Sequence, residues 1–255
     1  MVLVMAPSRR IHHGGTPESD WQAWPGLAAL PEVSAEDLVP PGHRAVVVAP
    51  HPDDEVLGAG GLMALLGALQ RDVMLIAVTD GTASHPGSTR WPPQRLAQER
   101  PLETLRALAE LGLSHLPIWR LGFQDGELAA HEPDLAKALS GHLQARDVVF
   151  TTCQFDGHPD HEATARACLS SAAITGVPVL QMPIWAWHWA EAGDPRLPWA
   201  SACQLKLPPG IADSKRKAAG AFVSQTTPDD MSREGCVLPP AALARLLRPT
   251  EVFFR

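Results

Sequence analysis

Two short stretches of the chain gather side chains suited to metal chemistry. The first runs Ala49-Pro50-His51-Pro52-Asp53-Asp54-Glu55 and the second Asp156-Gly157-His158-Pro159-Asp160-His161. His51 and Asp54 stand three residues apart in a turn that enters a helix, so both side chains can converge on one point. Imidazole and carboxylate both ligate zinc, and one histidine from the second stretch completes a facial set of three. That leaves a fourth position for water, the arrangement of a catalytic rather than a structural zinc. Ferrous iron also suits two histidines and one carboxylate with open positions. Spacing alone does not choose between His158 and His161 as the third donor. Asp53, between the first two, can act as general base toward the water, whose pKa zinc lowers toward neutrality.

Each stretch also has a plain structural use. Asp at a helix N-terminus caps backbone N–H groups, and His-Pro-Asp-His can open a solvated helix. Together, each after an apolar strand, they point to a metal, because carboxylates and imidazoles buried side by side are unfavourable without one.

The elements that must position these turns follow from periodicity. Residues 45–49 form a continuous β-branched run, as in a strand buried on both faces. A glycine-rich helix is expected over 60–69, a strand over 73–79, and a polar loop over 82–93 that could serve as a lid. An amphipathic helix over 96–111 ends at Gly112. Strands follow over 116–121, 147–152 and 178–187, with helices over 133–144 and 161–174. The last third is less regular: an edge strand over 202–207, helices over 211–222 and 240–247, and a terminal strand over 252–254. This alternation predicts a Rossmann-like, three-layer α/β/α domain with a mostly parallel central sheet, over residues 43–255. Residues 1–42 read as an N-terminal arm packed on that domain, with a short helix near 34–38. His12 and His13 read as a solvated pair rather than ligands. In such sheets ligands bind outside the carboxyl ends of the strands, where both His/Asp turns fall.

The 255 residues are 45% apolar and 19% charged, ordinary for a globular protein. Acidic residues outnumber basic ones 28 to 21 with no long basic run, which argues against nucleic acid as a partner. No stretch is apolar enough for a bilayer, and Pro7 and Arg9–Arg10 interrupt the apolar start too early for a signal-peptide core. A cytoplasmic location without a membrane partner is expected. Cys153, Cys168, Cys203 and Cys236 form no CxxC pair and read as buried or reduced thiols. A homo-oligomer is compatible with all of this.

HPDDE after a strand, with a later HPDH opening a helix, resembles the PIG-L (LmbE-like) family of zinc-dependent N-deacetylases. The resemblance extends over most of 46–225 and includes Arg100 and Glu103, the loop Leu121-Gly122-Phe123-Gln124-Asp125-Gly126, and Lys217 through Ser224–Gln225. It implies zinc held by His51, Asp54 and His161, with Asp53 as general base. It implies His158 as the group that stabilises the oxyanion or protonates the leaving amine, and Asp160 as the residue orienting a ligating histidine. The implied substrate is a small N-acylated, amino-sugar-like molecule. Some members carry a mobile tyrosine just before the second cluster. This chain has no tyrosine, and Asp156 occupies that region, so any tyrosine-dependent step is absent or replaced.

Around the site the readings stay divided. Asp125 could meet sugar hydroxyls or simply form a turn. Arg100 could contact substrate or pair with Glu103 one helical turn away. Glu55 could cap its own helix or brace a ligand. Trp185, Trp187 and Trp189, on one face of an expected strand, could pack in the core or form a sugar-stacking wall. A hydrolase of another amide or ester would use the same metal site. A nucleotide-binding module would need GxGxxG after the first strand, and Gly58, Gly60 and Gly61 lack that spacing. A non-catalytic zinc scaffold would need neither Asp53 nor His158.

Overall fold

The computed structural model describes residues 11, 14–229 and 235–255. His12, His13 and the apolar start at residues 1–6 lie outside the described residues. The seven-stranded sheet has the order β3-β2-β1-β4-β5-β7-β6. Its strands are β1 (Arg44–Ala49), β2 (Val73–Thr79), β3 (Ile118–Phe123), β4 (Asp147–Thr152), β5 (Val179–Met182), β6 (Ala202–Lys206) and β7 (Thr250–Phe254). The first five pair in parallel, while β7 runs antiparallel to both β5 and β6. The expected terminal strand is therefore an inserted one, and β6 lies at the edge.

Strand β1 shows why the sheet is covered on both sides. Ala45, Val47 and Ala49 enter one hydrophobic core, and Val46 and Val48 enter the other, following the two-residue alternation of a strand. The first core packs under α4 (Asp54–Ala68), α5 (Pro93–Glu110) and α9 (Pro209–Gly220), and the second under α6 (Glu132–His142) and α7 (Pro159–Thr175). The remaining helices are α1 (Glu18–Ala23), α2 (Pro25–Ala28), α3 (Ala35–Leu38), α8 (Ala186–Trp189), α10 (Val223–Thr226) and α11 (Pro240–Leu246). No helix among the described residues is long and apolar enough to cross a membrane.

Helix α4 starts earlier than its glycine-rich run suggests and breaks its geometry at Ala59 (φ −137°, ψ 15°). The break is spliced from outside. Glu251 of β7 accepts the N–H groups of Gly61 and Leu62, while Lys215 of α9 donates to the Leu57 carbonyl and to Glu251 at 2.7 Å. Both charges are 1% exposed, and each satisfies the other as well as the backbone. Gly58 is needed for close approach: a Cβ there would meet Met182 Sδ at 2.7 Å.

The fifth strand differs most from expectation. It stops at Met182, and residues 186–189 form the short helix α8. Asp156 causes the turn, because its carboxylate accepts the N–H groups of Ile184, Trp185 and Ala186 in place of a neighbouring strand. Trp187 consequently faces inward, 4.8 Å from Trp21 and 5.9 Å from Trp199 between ring centroids. Trp21 is fully buried and donates its Nε1–H to the Trp187 carbonyl, while Arg248 pairs with Glu18. These contacts fix the described part of the N-terminal segment to α8 and to the segment before β7. The loop expected as a lid is tied down as well: Ala83 N–H donates to Asp125 at 2.6 Å, and buried Trp91 lies under the Arg95 guanidinium.

Candidate active site

Strands β1 and β4 are neighbours, with β2 and β3 on one side and β5 on the other, so the chain reverses its winding between them. That switch point opens a crevice at the carboxyl ends, and the two His/Asp turns meet there. His51 Nδ1 and Asp54 Oδ2 lie 3.3 Å apart, His161 Nε2 and Asp54 Oδ2 3.2 Å, and the two nitrogens 3.2 Å. A tetrahedral ion with bonds near 2.0–2.1 Å separates its donors by about 3.3 Å, so this triangle can hold one.

The far side of each imidazole is braced. His161 Nδ1 donates to Asp156 at 2.7 Å, and His51 Nε2 faces Asp125 at 3.1 Å and Asp160 at 3.3 Å. A carboxylate behind an imidazole fixes its tautomer and aims its other nitrogen. Two further groups of donors lie close together: His51, His158 and His161, and His51, Asp125 and Asp160. In the latter the carboxylates already serve the backbone, Asp125 at Ala83 and Asp160 at Gly126 and Leu128. His158 Nδ1 is occupied as the N-cap of α7, accepting the Asp160 N–H.

The electrostatics favour a cation. Burial opposes charge on both histidines, yet Asp54 and Asp156 lift His161 to about 9, and Asp125, Asp160 and Asp54 raise His51 well above its ordinary value. Burial would likewise raise Asp54, but the neighbouring imidazoles hold it far below the carboxylate range. A divalent ion would supply the positive charge that these carboxylates otherwise draw onto the rings.

Asp53 sits at the N-cap of α4 with φ 129°, a conformation strained for a side-chain-bearing residue. Its N–H donates to Glu55 Oε2, and Glu55 also accepts from Thr104. Glu55 therefore caps the turn, and among the described residues no hydrogen bond joins it to the donor triangle. Burial pushes the Asp53 carboxyl up, with Asp54 and Glu55 adding to this; Arg100 opposes it, and a cation held by the neighbouring triangle would oppose it further, favouring the carboxylate. Arg100 donates to Asp53 Oδ2 at 3.1 Å and to the carbonyls of Pro52 and Gly81. The intrahelical pair with Glu103 is not formed, because Glu103 accepts from the N–H and hydroxyl of Ser224.

Above these groups opens a cavity of about 420 Å³ lined by His51, Asp53, Arg100, Asp125, His158 and Asp160 among others. Among the described residues, neither Trp185 nor Trp187 lines it, and Trp187 is 5% exposed within the tryptophan cluster. Ser84 and Gln225 do line it. Sequence reading missed Ser84, which stands inside an ordinary polar loop. It noticed the Ser224–Gln225 segment and Asp156 without assigning either a role.

The PIG-L family model, described as GlcNAc-PI de-N-acetylase, matches residues 46–172. The match starts where the sequence resemblance starts and stops short of its C-terminal part. A 1D-myo-inositol 2-acetamido-2-deoxy-alpha-D-glucopyranoside deacetylase from a Nocardioides species is 30% identical over 193 residues, 60% of this chain and 64% of that protein. The chain thus spans somewhat under two thirds of that relative. Among solved structures, a conserved protein from Thermus thermophilus shares 28% identity at TM-score 0.54, over 72% of this chain and 80% of its own. The N,N'-diacetylchitobiose deacetylase of Pyrococcus horikoshii, at 22% identity and TM-score 0.56 over 74% and 72% of the two chains, shares the fold. With both His/Asp turns, all of β4 and most of β1 inside the matched span, the chain belongs to the PIG-L (LmbE-like) family.

Proposed function

We propose that the protein is a zinc-dependent N-deacetylase that hydrolyses the acetamide of a small amino-sugar substrate, with His51, Asp54 and His161 as the metal ligands. The observation that carries this reading is the triangle of His51 Nδ1, Asp54 Oδ2 and His161 Nε2, whose His51 lines a cavity together with Asp53 and His158. Zinc bound there would polarise the amide carbonyl and make the attacking water more acidic.

The chain's own residues supply the rest. Asp53, anchored by Arg100, takes a proton as water adds to the carbonyl carbon. Burial, then the neighbouring His161 and His51, push the His158 imidazole down to about 3, so it is neutral. Its Nδ1 accepts the Asp160 N–H, which places the ring proton on Nε2 and makes that nitrogen a donor for the developing oxyanion. The carbon–nitrogen bond then breaks as Asp53 passes the proton it took from water to the departing amine. The products are a free amine and acetate. The relative named for deacetylating an inositol-linked acetamido-glucoside supports the substrate class.

The test is metal analysis of the purified protein coupled to amine release from a panel of N-acetylated sugars and simple N-acyl amines. One bound zinc with turnover of the sugars is the expected result. Turnover confined to the simple N-acyl amines would replace the substrate assignment.

A further inference from the structure

The deacetylase reading above needs only an amide beside Asp53 and His158, so other groups must read the ring that carries it. Most polar groups in the cavity are already engaged. Asp125 holds Ala83 and faces His51, Asp160 holds Gly126 and Leu128, and Arg100 holds Asp53 and two carbonyls. Gln225 donates its amide to the Ser224 hydroxyl. Ser84 is different. It is half-buried, lines the cavity, and has its hydroxyl oriented from behind.

Ser84 Oγ lies 3.1 Å from the Gly81 carbonyl and 2.9 Å from His85 Nδ1. His85 is buried, which holds its imidazole below the usual range, so the ring is neutral and carries one proton. Two arrangements satisfy these distances. The hydroxyl donates to Gly81 and accepts from Nδ1–H, or it donates to an unprotonated Nδ1. In both, the hydroxyl proton is spent inside the loop, and at least one oxygen lone pair remains toward the cavity. Ser84 therefore offers an acceptor and no donor.

We infer that Ser84 is a specificity residue that accepts a hydrogen bond from a ring hydroxyl of the amino-sugar substrate, with His85 as the positioning residue that fixes its polarity. This rests on the deacetylase reading, and it favours substrates with a free hydroxyl donor at one particular ring position.

The probe is methyl N-acetylglucosaminide, compared with analogues in which each ring hydroxyl in turn is replaced by fluorine, which cannot donate. At one position the zinc-loaded wild type prefers hydroxyl over fluorine in kcat/KM by roughly ten-fold or more. Ser84→Ala collapses that ratio toward one, Ser84→Thr retains most of it, and His85→Ala gives an intermediate ratio. Zinc content in all three matches wild type, which separates this role from loss of the site. A wild type without preference at any position, or Ser84→Ala with the preference intact, overturns the inference while leaving deacetylation standing. A zinc-loaded wild type that releases no amine from any acetamido sugar overturns the deacetylase reading, and this inference with it.

Discussion

The turns after β1 and β4 and the tryptophan-rich turn after β5 all leave the same edge of one sheet, yet they have different fates. The first two carry His51, Asp54 and His161 to a common point. The third is drawn down by Asp156 and delivers Trp187 to the core. A buried carboxylate or imidazole demands a partner, so its presence after an apolar strand announces a site. An indole gains as much from a protein core as from a ligand, so its presence announces nothing by itself. Asp156 joins the two regions, with one oxygen against His161 and both against the backbone of the tryptophan turn.

Five substitutions test that contrast. The largest effect is expected from His161→Ala, which should lose bound zinc and all measurable turnover, whereas His158→Ala should keep the metal and be slow. Metal stoichiometry of the two purified variants decides this, and the reverse pattern would exchange their roles. Asp53→Asn should retain zinc and lose roughly two to four orders of magnitude in kcat, measured by amine release. Turnover near wild type would remove Asp53 as the base. Asp156→Asn should weaken zinc affinity by roughly 10–100-fold, read by competition with a chelator, because an amide braces the His161 N–H less well. Unaltered affinity would confine Asp156 to shaping the turn. Trp187→Ala should reduce the unfolding free energy by about 3–5 kcal/mol while kcat/KM per folded molecule stays at wild type. A selective drop in sugar turnover without loss of stability would return Trp187 to the substrate wall.

How far the sequence could be read follows the same division. The β-branched run at 45–49 and the helix stop at Gly112 express local rules, and the structure follows them. The strand expected over 178–187 failed because its end is decided by Asp156, 28 residues from Ile184 in sequence. The pairing of Arg100 with Glu103, one of the two readings offered for Arg100, is not formed for a similar reason. One helical turn allows the pair, but the Asp53 carboxylate and Ser224, both from elsewhere in the chain, compete more strongly for the two side chains. The meeting of His51, Asp54 and His161 was legible as a cluster because side chains suited to metals fell in two short turns after apolar strands, while spacing alone did not choose His161 over His158. Ser84 was not legible, since a serine in a polar loop resembles any other until the cavity is present.

The spliced helix α4 has a bearing on how the molecule is made. Its first segment carries Asp54, and the break at Ala59 is closed by Glu251, 190 residues from Gly61 along the chain. Such a contact forms only after a large loop has been closed, which slows its appearance relative to local structure. A nascent chain that has already emerged with both His/Asp turns still lacks the clamp on the helix that aims one of them. Metal capture during synthesis is therefore expected to lag behind the emergence of the donors, and to become tight only once β7 has been inserted between β5 and β6.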